Sequence, residues 1–159
     1  MRLLRYVIAL AIVLNWSLAL ADVAGEKTAA PAPAAEKGDP KAPGVKEKRV
    51  VATVSPDGVQ RVEITGGEYF YDPNYIVVKV NVPVELTMKK AKGYVPHNIM
   101  VKAPEAGIDF KSDMKSDNPP AIKFTPTKPG KYPMYCDKQL LFFKSHRERG
   151  MEGTIEVVQ

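Results

Sequence analysis

The sequence predicts an all-β domain, a two-sheet sandwich or barrel of about seven or eight short strands. Three observations carry this. Short runs of Val, Ile, Thr, Tyr and Phe recur at close spacing from residue 49 onward. Pro, Gly, Asn and Asp clusters punctuate them, and several runs alternate apolar with polar residues, the period of a half-buried strand. Neither a helical periodicity nor an internal repeat stands against them.

The chain has 159 residues, and they divide unevenly. Residues 1–21 have the three parts of a secretory signal. Arg2 and Arg5 make a positive start, residues 6–14 are an uncharged apolar run, and Ala19-Leu20-Ala21 places small residues where a signal peptidase needs them. Cleavage is expected after Ala21, before Asp22. An uncleaved membrane anchor is the alternative, but the run is short for a span of about 20 residues. The lone Trp16 would leave with the leader. No cysteine stands just after the leader, which argues against a lipid-anchored form. The expected location is the periplasm, with no stable membrane insertion once the leader is removed.

Residues 22–48 are rich in Ala, Pro, Lys and Glu and hold almost no large apolar side chain. Such a segment cannot bury enough surface to offset chain entropy, and Pro31, Pro33, Pro40 and Pro43 interrupt any helix. It reads as a disordered tether. Residues 49–159 remain, about 110 residues and one core.

Within that domain, Val50-Val51-Ala52-Thr53-Val54 is β-rich, and Ser55-Pro56-Asp57-Gly58 is a turn, since Pro fixes φ and Gly tolerates a positive one. Residues 59–65 alternate, and Gly66-Gly67 is expected to break them. Glu68-Tyr69-Phe70-Tyr71 is a short aromatic segment closed by Asp72-Pro73-Asn74. Residues 75–80 form the clearest strand. Asn81-Val82-Pro83 turns it, and Val84, Leu86 and Met88 share one face of the next. After the polar stretch 89–93, residues 97–102 read as a strand. Residues 103–120 are charged and broken by Pro104, Gly107, Pro119 and Pro120, and read as loop with a helical turn near Phe110. Residues 121–124, 131–135 and 153–158 are the remaining strands.

Charge excludes one class of function. The 23 basic and 18 acidic residues give a net charge of +5, which falls to +3 when Arg2 and Arg5 leave with the signal. No basic stripe is interleaved with stacking aromatics, so no nucleic-acid partner is expected. The single cysteine cannot make an internal disulfide, and a lone thiol in an exported protein needs a reason.

That reason lies in the last part of the chain. Taken singly, Cys136 is more often a small buried hydrophobe than a ligand. Yet the only Cys and both histidines stand within or beside strand ends. Cys136 and His146 bracket one loop between two strands, and His97 follows Pro96 at the start of another. Met151 follows His146 with four residues between them. A thiolate, two imidazoles and a weak thioether make the donor set of a mononuclear copper electron-transfer site. No second Cys is present to bridge two coppers. Zinc accepts Cys and two His, but would leave the methionine idle.

Val95-Pro96-His97-Asn98-Ile99-Met100-Val101 resembles the first-histidine strand of plastocyanin-like cupredoxins. Tyr132-Pro133-Met134-Tyr135-Cys136 resembles their ligand strand, and His146 to Met151, followed by Glu152-Gly153 and a strand, resembles their closing segment. The likeness covers residues 60–159. It implies a Greek-key β-sandwich binding one copper per chain, with His97, Cys136 and His146 as equatorial ligands and Met151 as the axial one. Asn98 would steady the loop near Cys136. The implied function is single-electron transfer without chemistry on a substrate, by a monomer serving redox protein partners, a cytochrome or an oxidoreductase. One departure matters: nine residues separate Cys136 from His146, more than in simple blue-copper carriers and comparable with copper nitrite reductases.

Other functions stay open on the residues alone. A copper-handling protein would deliver or sense the metal, and an enzyme would leave an open copper position with Met151 unbound. A metal-free domain used in assembly would need none of the four donors. The insert Leu140-Leu141-Phe142-Phe143 is expected to tuck over the sandwich end as a lid. Its functional alternative is an apolar docking patch, rimmed by Lys144, Arg147 and Arg149 to steer an acidic partner.

Overall fold

The computed structural model describes residues 46–159. The expected leader and all but the last three residues of the expected tether lie outside that range. Two of those three, Lys46 and Lys48, are tied to Asn74. The buried Asn74 side chain accepts from the Lys48 amide (2.8 Å) and donates to the Lys46 carbonyl (3.1 Å).

The described residues form an all-β sandwich of two sheets. One sheet holds β1 (Arg49–Val51), β4 (Tyr75–Lys79), β10 (Glu152–Val158), β9 (Gly130–Tyr135), β6 (Asn98–Ala103) and β7 (Ile108–Asp113), in that order. The other runs β3 (Phe70–Asp72), β2 (Gln60–Gly67), β5 (Val84–Lys90) and β8 (Ala121–Phe124). Parallel pairs join β1 and β10 to β4 and β2 to β5. Among the described residues, no helix is long and apolar enough to cross a membrane.

Alternation decides which faces meet. In β5, Val84, Leu86 and Met88 are buried while Glu85, Thr87 and Lys89 are less so. β4 is buried along Tyr75-Ile76-Val77-Val78: Ile76 and Val78 join the core, and the Arg49 and Lys131 side chains lie over the Tyr75 ring. Ile64, Leu86, Met88, Ile99, Val101, Ile108, Met134 and Ile155 fill the space between the sheets. Gln60 is buried too, and its amide is satisfied: it donates to the carbonyls of Lys79 and Val82 and accepts from the Lys79 amide.

Four local expectations are corrected. Ten strands form rather than seven or eight: the additions are β3, a three-residue pairing too short to show in sequence, and β7. The stretch 103–120 holds β7, whose Ile108 and Phe110 turn inward while Asp109, Lys111 and Asp113 face out. Its helical turn is a 3-10 turn at Pro104–Ala106, not near Phe110, and the Phe110 ring lies 5.3 Å from that of Phe124. Gly66 and Gly67 stay inside β2, and His97 precedes β6 rather than opening it. The two glycines allow close approach. A Cβ on Gly66 would sit 2.4 Å from the Met114 sulfur, and one on Gly67 2.4 Å from the Phe70 ring.

Candidate metal centre

β6, β9 and β10 bring the candidate donor side chains to one end of the sandwich. Cys136 follows the last residue of β9, and Met151 precedes the first of β10. The Cys136 amide donates to the Met151 carbonyl (3.0 Å), extending that pairing by one bond past the strands. His97 stands one residue before β6, and its carbonyl accepts from the Met114 amide (2.9 Å) just beyond β7. The segment unseen in sequence therefore fixes the first histidine.

The loop from Cys136 closes on itself. The His146 amide donates to the Lys138 carbonyl (2.9 Å), and the Met151 amide to the His146 carbonyl (2.9 Å). Ser145 and Glu148 form a reciprocal pair. The Glu148 carboxylate accepts from the Ser145 amide (2.7 Å), and the Glu148 amide donates to the Ser145 hydroxyl (3.2 Å). This is the bonding of a capping box around the turn that carries His146. Its Ser-x-x-Glu signal stood in the sequence unused.

The ligand atoms of His97, Cys136 and His146 all lie within 4.8 Å of one another. Nδ1 of His97 is 3.1 Å from Nδ1 of His146, so one ring holds the proton and the other accepts it. The Cys136 sulfur is 3.4 Å from Nδ1 of His146 and also accepts from the Asn98 amide at 3.4 Å. All three residues are buried, as is Met151, whose methyl group reaches 3.3 Å from the Cβ position of Gly66. Two imidazoles and a sulfur with converging lone pairs suit a soft or borderline cation, which would displace the thiol proton on binding.

Burial sets the protonation states. It pushes His97 down to about 4, with help from His146 and then Lys90. Burial also lowers His146, aided by Arg149 and Lys138. Both rings are therefore neutral near neutral pH, the form that binds metal. The Cys136 thiol is pushed up, by burial first, against the lowering effect of the Asn98 and Lys138 amides.

Asn98 is fully buried and holds the residue after the cysteine. Its side-chain amide donates to the Asp137 carboxylate (2.7 Å), and its carbonyl oxygen accepts from the Asp137 amide (3.1 Å). Asp137 also takes an ion pair from Lys111 on β7 (2.6 Å), and Lys138 pairs with Asp113 (2.8 Å). Burial pushes the Asp137 carboxyl up, but Lys111 and Asn98 outweigh it and hold the group below its usual range. Asp137 and β7 belong to the support of this loop, and sequence reasoning passed over both.

The insert Leu140-Leu141-Phe142-Phe143 does not tuck over the sandwich end. Its side chains are 64, 76, 86 and 48% exposed, and the rings of Phe142 and Phe143 stack on each other 5.0 Å apart. The lid expectation fails because the end is already closed: Tyr69 packs edge-on against both histidine rings. Of the expected rim, the Arg147 guanidinium lies over Tyr135 (4.4 Å) and pairs with Glu152 (3.2 Å). Arg149 lies over Tyr69 (4.7 Å) and donates to the Lys144 carbonyl.

Comparison with known proteins agrees with this architecture. No curated protein matches the sequence. The fold is similar to the metal binding domain of the Cu(I)-exporting P-type ATPase of Streptococcus pneumoniae D39, solved with Cu(I), at 21% identity and a TM-score of 0.54, covering 72% of this chain and all of that one. It is also similar to reduced auracyanin from the photosynthetic bacterium Roseiflexus castenholzii, at 21% identity and a TM-score of 0.51, covering 68% of this chain and 99% of that one. The family model for a cupredoxin-like domain matches residues 7–151, and the chain belongs to that family.

Proposed function

We propose that the protein is an exported one-electron carrier that holds one copper ion on His97, Cys136, His146 and Met151. One observation carries the reading: the only cysteine and both histidines of the chain meet, buried, with their donor atoms within 4.8 Å. Bound copper would supply a Cu(I)/Cu(II) couple. The protein's part is to hold the donors still through electron gain and loss, and the bonds from Asn98, Met114, Ser145 and Glu148 serve that end. Met151 would be the axial donor. The leader would be cleaved after Ala21, leaving residues 22–48 as a tether for a periplasmic monomer.

The exposed run 140–143 supports docking of a redox protein, a cytochrome or an oxidoreductase, with an apolar patch and an acidic rim. Lys144 and Arg149 stand beside the run to meet such a rim.

Copper handling is the second reading, favoured by the fold's similarity to a copper-exporter domain. The two readings differ in exchange. Four buried donors behind an aromatic cover favour retention over delivery. Loading with Cu(II) separates them. An intense visible band with narrow copper hyperfine splitting, both lost in Cys136→Ser, is the result expected of the carrier. A weak band with broad splitting and rapid loss of copper to a chelator would replace it with the handling reading.

A further inference from the structure

Tyr69 occupies a backbone position that disfavours it. It is the second residue of the two-residue turn between β2 and β3, where Gly67 pairs with Phe70, and its φ is +61°. Gly and Asn are the residues that adopt this left-handed region readily, and a bulky side chain there is strained. Such strain persists only where surrounding contacts hold it, and it concentrates at functional sites.

The contacts here are with the donors. The Tyr69 ring lies 5.1 Å from the His146 ring and 6.2 Å from the His97 ring, at interplanar angles of 78° and 87°. The Arg149 guanidinium lies over the ring at 4.7 Å and is tied by its Nε to the Lys144 carbonyl (3.3 Å). A turn of one sheet is thus clamped, through an aromatic ring, to the ligand loop of the other. Both histidines are buried although they sit at the end of the sandwich.

We propose that Tyr69, braced by Arg149, is the seal of the histidine edge, keeping water and small anions from the imidazoles. Its role in the centre rests on the copper reading above, but the seal itself is a property of the metal-free protein. The ring works by filling space, so the hydroxyl is dispensable. The left-handed φ makes Gly and Asn the residues this turn accepts best, so Tyr69→Gly and Tyr69→Asn are expected to fold.

The test is carbethoxylation of the metal-free full chain by diethyl pyrocarbonate, followed peptide by peptide by mass spectrometry. The chain has only two histidines, so each adduct is assignable. His146 in Tyr69→Gly and Tyr69→Asn is expected to react at least about tenfold faster than in the parent, as a locally opened site does, with Tyr69→Phe close to the parent. Unchanged rates in the Gly and Asn variants would overturn the proposal, as would a Tyr69→Phe rate equal to theirs. Azide added to the copper-loaded proteins gives a second arm, with a new absorption band expected in Tyr69→Gly and none in the parent or in Tyr69→Phe. Failure of the chain to load copper would strike the copper reading alone, since the carbethoxylation rates decide the seal without it.

Discussion

Asn98→Ala isolates the support of the cysteine loop. The substitution removes the bond from the Asn98 amide to the Asp137 carboxylate (2.7 Å) and the bond from the Asp137 amide to the Asn98 side chain (3.1 Å). It leaves the backbone donor to the Cys136 sulfur in place. A hydrogen bond to a charged group contributes about 1.5–3 kcal/mol and a neutral one about 1 kcal/mol. The Asp137 side chain is 30% exposed, so water replaces part of the first and its lower bound applies. The sum is roughly 2.5 kcal/mol, which in a domain of this size lowers the melting temperature by roughly 10 °C. Lys111→Met removes the other partner of the same carboxylate, but that pair is exposed and costs under about 1 kcal/mol. Thermal and urea unfolding of the metal-free proteins, followed by circular dichroism, reads both. If Asn98→Ala cost no more than Lys111→Met, the amide would not be what fixes the loop.

Acid should destabilise the metal-free protein before carboxylates titrate in bulk. Burial holds His97 near 4 and lowers His146, so between about 6.5 and 4 the unfolded chain binds protons that the folded one refuses. Stability is fully present above about 6.5 and falls as pH drops toward 4, by roughly 3 kcal/mol from His97 alone. A melting temperature that stays flat from pH 7 to about 4.5 would contradict this. Gly153→Ala places a methyl 2.3 Å from the Asn74 carbonyl and 2.5 Å from the Met134 methyl, so β10 must move. It should cost roughly 2–3 kcal/mol in urea unfolding, and Gly66→Ala less, because the Met114 thioether it meets can swing aside. Equal costs would show that the backbone carbonyl is not the obstacle.

The parts legible in the sequence were those whose signal is local. Val84, Leu86 and Met88 alternate, and the burial of β5 follows. The histidine after Pro96 and the cysteine after β9 stand at strand ends, which is enough to bring them to one end of a sandwich. β7 was missed because prolines and Gly107 dominate its surroundings, and only pairing with β6 makes its alternation visible. The insert 140–143 was expected to tuck in as apolar residues do, but the space it would fill belongs to Tyr69, from a distant turn. Nothing local to Tyr69 marks it, since its position is a left-handed one where a glycine or asparagine would be read as ordinary. Asp137 was passed over because its meaning depends on Asn98 and Lys111, which come from two other strands.

X-ray absorption at the copper edge of the loaded protein, in both oxidation states, tests the central proposal most directly. One thiolate sulfur and two imidazole nitrogens should appear in Cu(I) and Cu(II) alike, because buried and cross-braced side chains leave the donors little room to move. A centre without sulfur, or one that changes its donors between the two states, would contradict a carrier built on His97, Cys136 and His146.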